Sequence, residues 1–174
     1  MVAYRTHPTQ EAVMSTLVVY YSLSNGNTER IAKMVADALD ADIEAIETVE
    51  PYPDDYQEVV DQGKREVECG YKPAIETPEF GPEDYDRIVI GTPTWWYTMA
   101  PAVATYLSEH DWQGKTVIPF QTHGGWPGEA LDDIEGACDG ARVEHGMSVQ
   151  FDSTGGDRMI TPLADVERWI DSLK

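Results

Sequence analysis

Leu17-Val18-Val19-Tyr20-Tyr21-Ser22-Leu23-Ser24-Asn25-Gly26-Asn27-Thr28 is the stretch on which the fold turns. Its first five residues are apolar or aromatic, and the next seven are mostly hydroxyls and amides around one glycine. Glu29 to Leu39 then sets Ile31, Val35, Ala38 and Leu39 on one helical face. The order is strand, phosphate loop, helix. Backbone N–H groups are unpaired at a helix start and the dipole is positive there, so Ser and Thr hydroxyls beside them suit a dianion. A well-capped helix with no ligand accounts for the same residues, so the rest of the chain has to decide.

At 174 residues the chain makes one domain with one core. Met14-Ser15 reads as a second start, which sets residues 1–14 apart as an N-terminal extension and 15–174 as the domain. Hydrophobic residues make up 41% of the sequence, and no apolar run approaches the roughly 20 residues a bilayer span needs. The segment before Ser15 lacks the apolar core of a signal peptide, so a cytoplasmic protein with no membrane partner is expected. Against 12 Lys and Arg stand 32 Asp and Glu, a net charge of −20, which argues against nucleic acid as a partner. That excess fits either solubility, including at high salt, or electrostatic steering toward a basic partner. Cys69 and Cys138 lie far apart with no C-x-x-C pair and no histidine at ligand spacing, so neither a disulfide nor a metal site is expected.

Along the chain, Asp42 to Glu47 alternates acidic and apolar residues like a strand at a sheet edge. Glu50-Pro51-Tyr52-Pro53 forces a turn, and Asp54 to Glu68 reads as a helix capped by Asp54 or Asp55. Asp86 to Gly91 is a third strand, apolar enough to be covered on both faces. Pro101 starts a helix, Lys115 to Phe120 is a fourth strand, and Glu129 to Cys138 another helix. Arg142 to Phe151 is a fifth strand, and after a turn at Gly155-Gly156 the segment Pro162 to Leu173 closes as a helix. Strands alternating with helices give an α/β, doubly wound, three-layer sandwich around a five-stranded parallel sheet. Ligands of such sheets sit outside the strands' carboxyl ends.

Three loops leave those ends. The first is the anion cradle at Ser22 to Thr28. The second, Thr92 to Tyr97, carries Trp95, Trp96 and Tyr97 after Pro93, on a loop where large aromatics need a reason to face solvent. The third, Thr122 to Gly128, combines three glycines with Trp126, so backbone can approach a flat ring while the indole covers it. Together they call for a phosphorylated planar heterocycle, and flavin mononucleotide (FMN) fits best.

Tyr20-Tyr21-Ser22 with Gly26-Asn27-Thr28, then Gly91-Thr92-Pro93-Thr94-Trp95-Trp96, then Gly114 to Phe120 leading into Thr122-His123-Gly124-Gly125, follow one another in an order and spacing that resemble the flavodoxins. The resemblance spans Thr16 to Lys174 and is to the subgroup with a helical insertion after strand two. It implies the strand order 2-1-3-4-5 of the flavodoxins themselves. It also implies that Ser22, Ser24, Asn25, Asn27 and Thr28 bind the FMN phosphate, with Gly26 allowing close approach. Pro93, Thr94, Trp95, Trp96 and Tyr97 would line one side of the ring system, and Thr122, His123, Gly124, Gly125 and Trp126 the other. His123 is the candidate catalytic residue, as a donor to a flavin carbonyl or a bound quinone.

Two departures stand out. Asn25 precedes Gly26 in a phosphate loop one residue longer than the family's, and positions 92 to 99 contain no glycine. A backbone flip beside the flavin would put a non-glycine residue at positive φ, at about 1 kcal/mol or more, so weaker stabilisation of half-reduced flavin is expected. The function implied is that of an FMN-binding redox protein passing electrons to a partner with a basic surface. The alternatives are a two-electron quinone or flavin reductase using NAD(P)H with a quinone-like acceptor, and a flavin-free interaction module.

Overall fold

The computed structural model describes residues 14–174; the proposed extension, but for Met14, lies outside them. Its strands are β1 (Thr16–Tyr20), β2 (Asp42–Ala45), β3 (Arg87–Trp95), β4 (Thr98–Met99), β5 (Thr116–His123), β6 (Arg142–Val143) and β7 (Met147–Gln150). Its α-helices are α1 (Asn27–Leu39), α2 (Tyr56–Cys69), α3 (Pro101–Ser108), α4 (Ala130–Ala137) and α5 (Leu163–Asp171). The sheet runs β2-β1-β3-β5-β6 in parallel, β7 also pairs in parallel with β5, and β4 turns back on β3. With β4 set aside and β6 and β7 taken together as the fifth strand, both in parallel beside β5, this is the expected order.

Every residue of β1 is buried because helices cover both faces of the sheet. Leu17 and Val19 face one core with Val103, Leu107 and Ile134 of α3 and α4. Val18 and Tyr20 face the other, with Ile31 and Val35 of α1 and Val166 and Ile170 of α5. Asp55 caps α2 by accepting the Glu58 N–H at 3.0 Å.

The structure redraws three boundaries. β3 runs on past Gly91 to Trp95, because Thr92 and Pro93 stay in register with Gln121 and Thr122 while Thr94 and Trp95 pair with Met99 and Thr98 of β4. β5 likewise extends to His123, which pairs with Gln150. The expected fifth strand is two short ones, broken at Glu144-His145-Gly146, where His145 takes φ 54°. β2 is an edge strand, as its alternation suggested, and the inserted segment covers that edge. Glu44 accepts the N–H groups of Glu79 and Phe80 at 3.2 Å, and Thr48 bridges to Ile75.

Candidate functional site

A cleft of about 400 Å³ opens at the carboxyl ends of β1, β3, β5 and β7. All the residues singled out from the sequence line it except Ser22, Gly26 and Gly125. Those three shape it from behind. Ser22 Oγ accepts the Glu29 N–H at 3.3 Å, Gly26 enters α1 with φ 70°, and the Gly125 N–H donates to His123 Nδ1 at 2.9 Å.

At the α1 end, the Arg30 N–H is bonded to Gly26 O and the Glu29 N–H to Ser22. The N–H groups of Asn27 and Thr28 have no acceptor among the described residues, which leaves two donors for an anion. The wall here includes the loop around Gly155-Gly156, which reads in the sequence only as a turn. Asn25 donates its side-chain amide to Gly155 O, and Asn27 Nδ2 donates to Gly156 O at 3.1 Å. With Nδ2 so pinned, the buried Asn27 Oδ1 is left as an acceptor with no partner. A phosphate dianion has no hydrogen to give it, whereas a polyol hydroxyl does. The α1 end therefore fits a phosphate joined to a hydroxyl-bearing chain.

At the other end, Trp96 and Tyr97 form the two-residue tip of the β3–β4 hairpin, with φ 48° and 68°. Such turns favour Asn-Gly, and bulky residues there cost about 1–3 kcal/mol each. The tip is held from both sides. Trp96 Nε1 donates to Val60 O of α2 at 3.0 Å, with Lys64 Nζ 5.2 Å from its ring, while the Glu129 N–H donates to Tyr97 O at 2.8 Å. Trp95 turns inward and packs edge-on against Tyr52 at 5.0 Å and Tyr21 at 5.8 Å. Tyr97 (59% exposed) and Trp126 (61%) stay open to solvent.

Burial holds His123 below the usual imidazole range, so it is neutral at pH 7. Because Nδ1 accepts from Gly125, the proton sits on Nε2, which makes this edge a donor. Thr122 Oγ1 lies 2.8 Å from Thr28 Oγ1 and ties β5 to α1.

Sequence reasoning missed two parts of the wall. One is Tyr56, Val59, Val60 and Gly63 of α2; the other is Phe151 to Ser153 with Gly155 and Gly156. The second had a signal, a polar Gly-rich loop directly after a strand like the other three. The first had none, since the face a helix turns to its neighbours is settled by packing.

The flavodoxin family model matches residues 15–159. The chain belongs to the flavodoxin family. Among solved structures, this flavodoxin is similar to a flavoprotein from Lactobacillus acidophilus NCFM in complex with FMN. The identity is 25%, over 78% of this chain and 92% of that one, with a TM-score of 0.65. It is also similar to a candidate flavoprotein from Bacteroides uniformis ATCC 8492, 28% identical over 91% of this chain and 98% of that one, with a TM-score of 0.74. No curated protein matches the chain.

Proposed function

We propose that this flavodoxin binds FMN and passes electrons through it to a protein partner with a basic surface. The observation that carries the reading is the polarity of one cleft, with the free N–H groups of Asn27 and Thr28 at one end and the Trp96-Tyr97 tip at the other. FMN is the cofactor, and when bound it supplies the redox chemistry.

The chain's residues supply the rest. The Asn27 and Thr28 N–H groups hold the phosphate, and Asn27 Oδ1 takes a hydrogen bond from the polyol chain. Trp96, Tyr97 and Trp126 cover the ring system and exclude water. The −20 charge draws a cationic partner toward this acidic molecule. The reading sets the exchange in the cytoplasm, where the free thiols of Cys69 and Cys138 persist.

The His123 Nε2–H favours a second reading, as an NAD(P)H-dependent quinone or flavin reductase, because a neutral donor at the ring edge can stabilise charge arising on a quinone oxygen. Titration of the apoprotein with FMN tests the common ground. Uptake with quenched flavin fluorescence and shifted visible bands is expected, and no uptake would leave the flavin-free module. Photoreduction separates the rest. Two resolved one-electron steps support the carrier, whereas a single two-electron step with steady NAD(P)H oxidation in the presence of a quinone overturns it.

A further inference from the structure

Trp95 faces two ways. It lines the cofactor cleft, and behind it stand two tyrosines that do not line that cleft. Tyr52 meets the Trp95 ring edge-on at 5.0 Å between centroids and Tyr21 at 5.8 Å, with the two phenols 6.4 Å apart. The packing is close: a Cβ at Gly63 of α2 would lie 3.0 Å from the Trp95 ring. Both tyrosines are buried, but their hydroxyls differ. Tyr52 donates to Glu66 Oε2 at 2.6 Å, within the range of a charge-assisted bond, whereas Tyr21 has no such acceptor among the described residues. Gln62 Nε2 donates to the other Glu66 oxygen at 2.9 Å, so both oxygens of this buried side chain accept, as those of an ionised carboxylate do. Burial first, and the bond to Glu66 second, hold the Tyr52 phenol protonated well above the ordinary tyrosine range, so it carries a proton to give.

We infer that Tyr52, with Glu66 as its fixed proton acceptor, is a one-electron relay that re-reduces Trp95 after a light-excited ring in the cofactor cleft has oxidised it. A phenol that loses an electron becomes a strong acid, and in a buried site the resulting cation is costly unless its proton leaves with the electron. Glu66 already shares that proton in a hydrogen bond. Tyr21 also touches Trp95 but lacks an acceptor, so it stays reduced. The balance closes. Trp95 gives one electron to the excited ring, and Tyr52 replaces it while passing its proton to Glu66. The electron then returns from the reduced ring to Tyr52, and Glu66 gives the proton back. Nothing is consumed, and the excitation is discharged before it damages the cleft. The inference rests on the FMN reading for its oxidant and is indifferent to the electron count of the dark reaction.

Laser-flash absorption and electron paramagnetic resonance on the FMN-loaded protein test it. A neutral tyrosyl radical should follow the tryptophan signal, and its rise should slow in heavy water because a proton moves with the electron. Tyr52→Phe should abolish it, and Tyr21→Phe should leave it. Glu66→Gln should slow the rise by about tenfold or more, the loss of a charged acceptor expressed as a rate. Under continuous blue light, peptide mass spectrometry should find Trp95 oxidised faster in Tyr52→Phe than in the parent. A tyrosyl signal that survives Tyr52→Phe, a rise indifferent to heavy water or to Glu66→Gln, or a tryptophan radical with no tyrosyl successor would each overturn the inference. The heavy-water measurement and the last outcome need no variant. FMN uptake is measured first, in the dark, and its failure overturns the redox reading alone. The relay is then read on the apoprotein, where azide radicals from pulse radiolysis oxidise indoles first and the heavy-water-sensitive tyrosyl rise should again depend on Tyr52 and Glu66.

Discussion

Gly128 shows how much of the site rests on one absent side chain. It has φ +56°, and a Cβ there would come within 2.1 Å of Tyr97 O. Gly128→Ala should therefore push the hairpin tip away and lower FMN affinity by about tenfold or more, with a stability loss of about 1–3 kcal/mol read by denaturant unfolding. His123 carries a pH signature whose sign is fixed by its depressed pKa. The unfolded chain binds the proton more readily, so this histidine contributes nothing above its ordinary range and destabilises as pH falls through 6.5 toward its folded value. Comparing unfolding midpoints at about pH 7.5 and about pH 5.5, His123→Asn should lose less stability on acidification than the parent. Leu17 is fully buried in the interior strand β1, and Leu17→Ala should cost about 2–5 kcal/mol.

The β3–β4 hairpin places rings where a turn would rather have none. Tyr97 is 59% exposed with φ 68°, so Tyr97→Gly should raise the stability of the apoprotein by about 1 kcal/mol while weakening FMN binding. Calorimetry of the apoprotein beside an FMN titration checks both directions. If Tyr97→Gly left FMN affinity unchanged, the tip would not be part of the binding wall. This is also the element the sequence left half legible. The apolar run to Gly91 announced a strand, but Thr92 and Pro93 belong to it only because β5 offers partners in register, and Thr94 and Trp95 because β4 turns back on them. Pairing is a tertiary fact, and Pro93 interrupts what strand signal Thr92, Thr94 and Trp95 carry. The same holds for α2, whose cap and extent were readable from Asp55 onward while its contact with Trp96 was not. The anion cradle was more legible, because glycine, amides and hydroxyls at a helix start act through local backbone geometry.

At the scale of the molecule, charge dominates. Against 32 acidic side chains there are 12 basic ones, so the folded chain repels itself, and added salt should raise its unfolding temperature by screening. On the proposed carrier function salt should act the other way, slowing reduction of a cationic acceptor far more than of a neutral one in stopped-flow mixing. The connectivity of the sheet has a consequence in time. Thr16 and Arg87, neighbours across β1 and β3, are 71 residues apart in the chain. During synthesis the most apolar strand is made early and must wait for the whole insertion and β3 before its second edge is paired. Closing that loop is slow compared with forming any of the helices, which puts folding in the millisecond-to-second range. Until then, the segment that will cradle the cofactor is the one most in need of protection from other nascent chains.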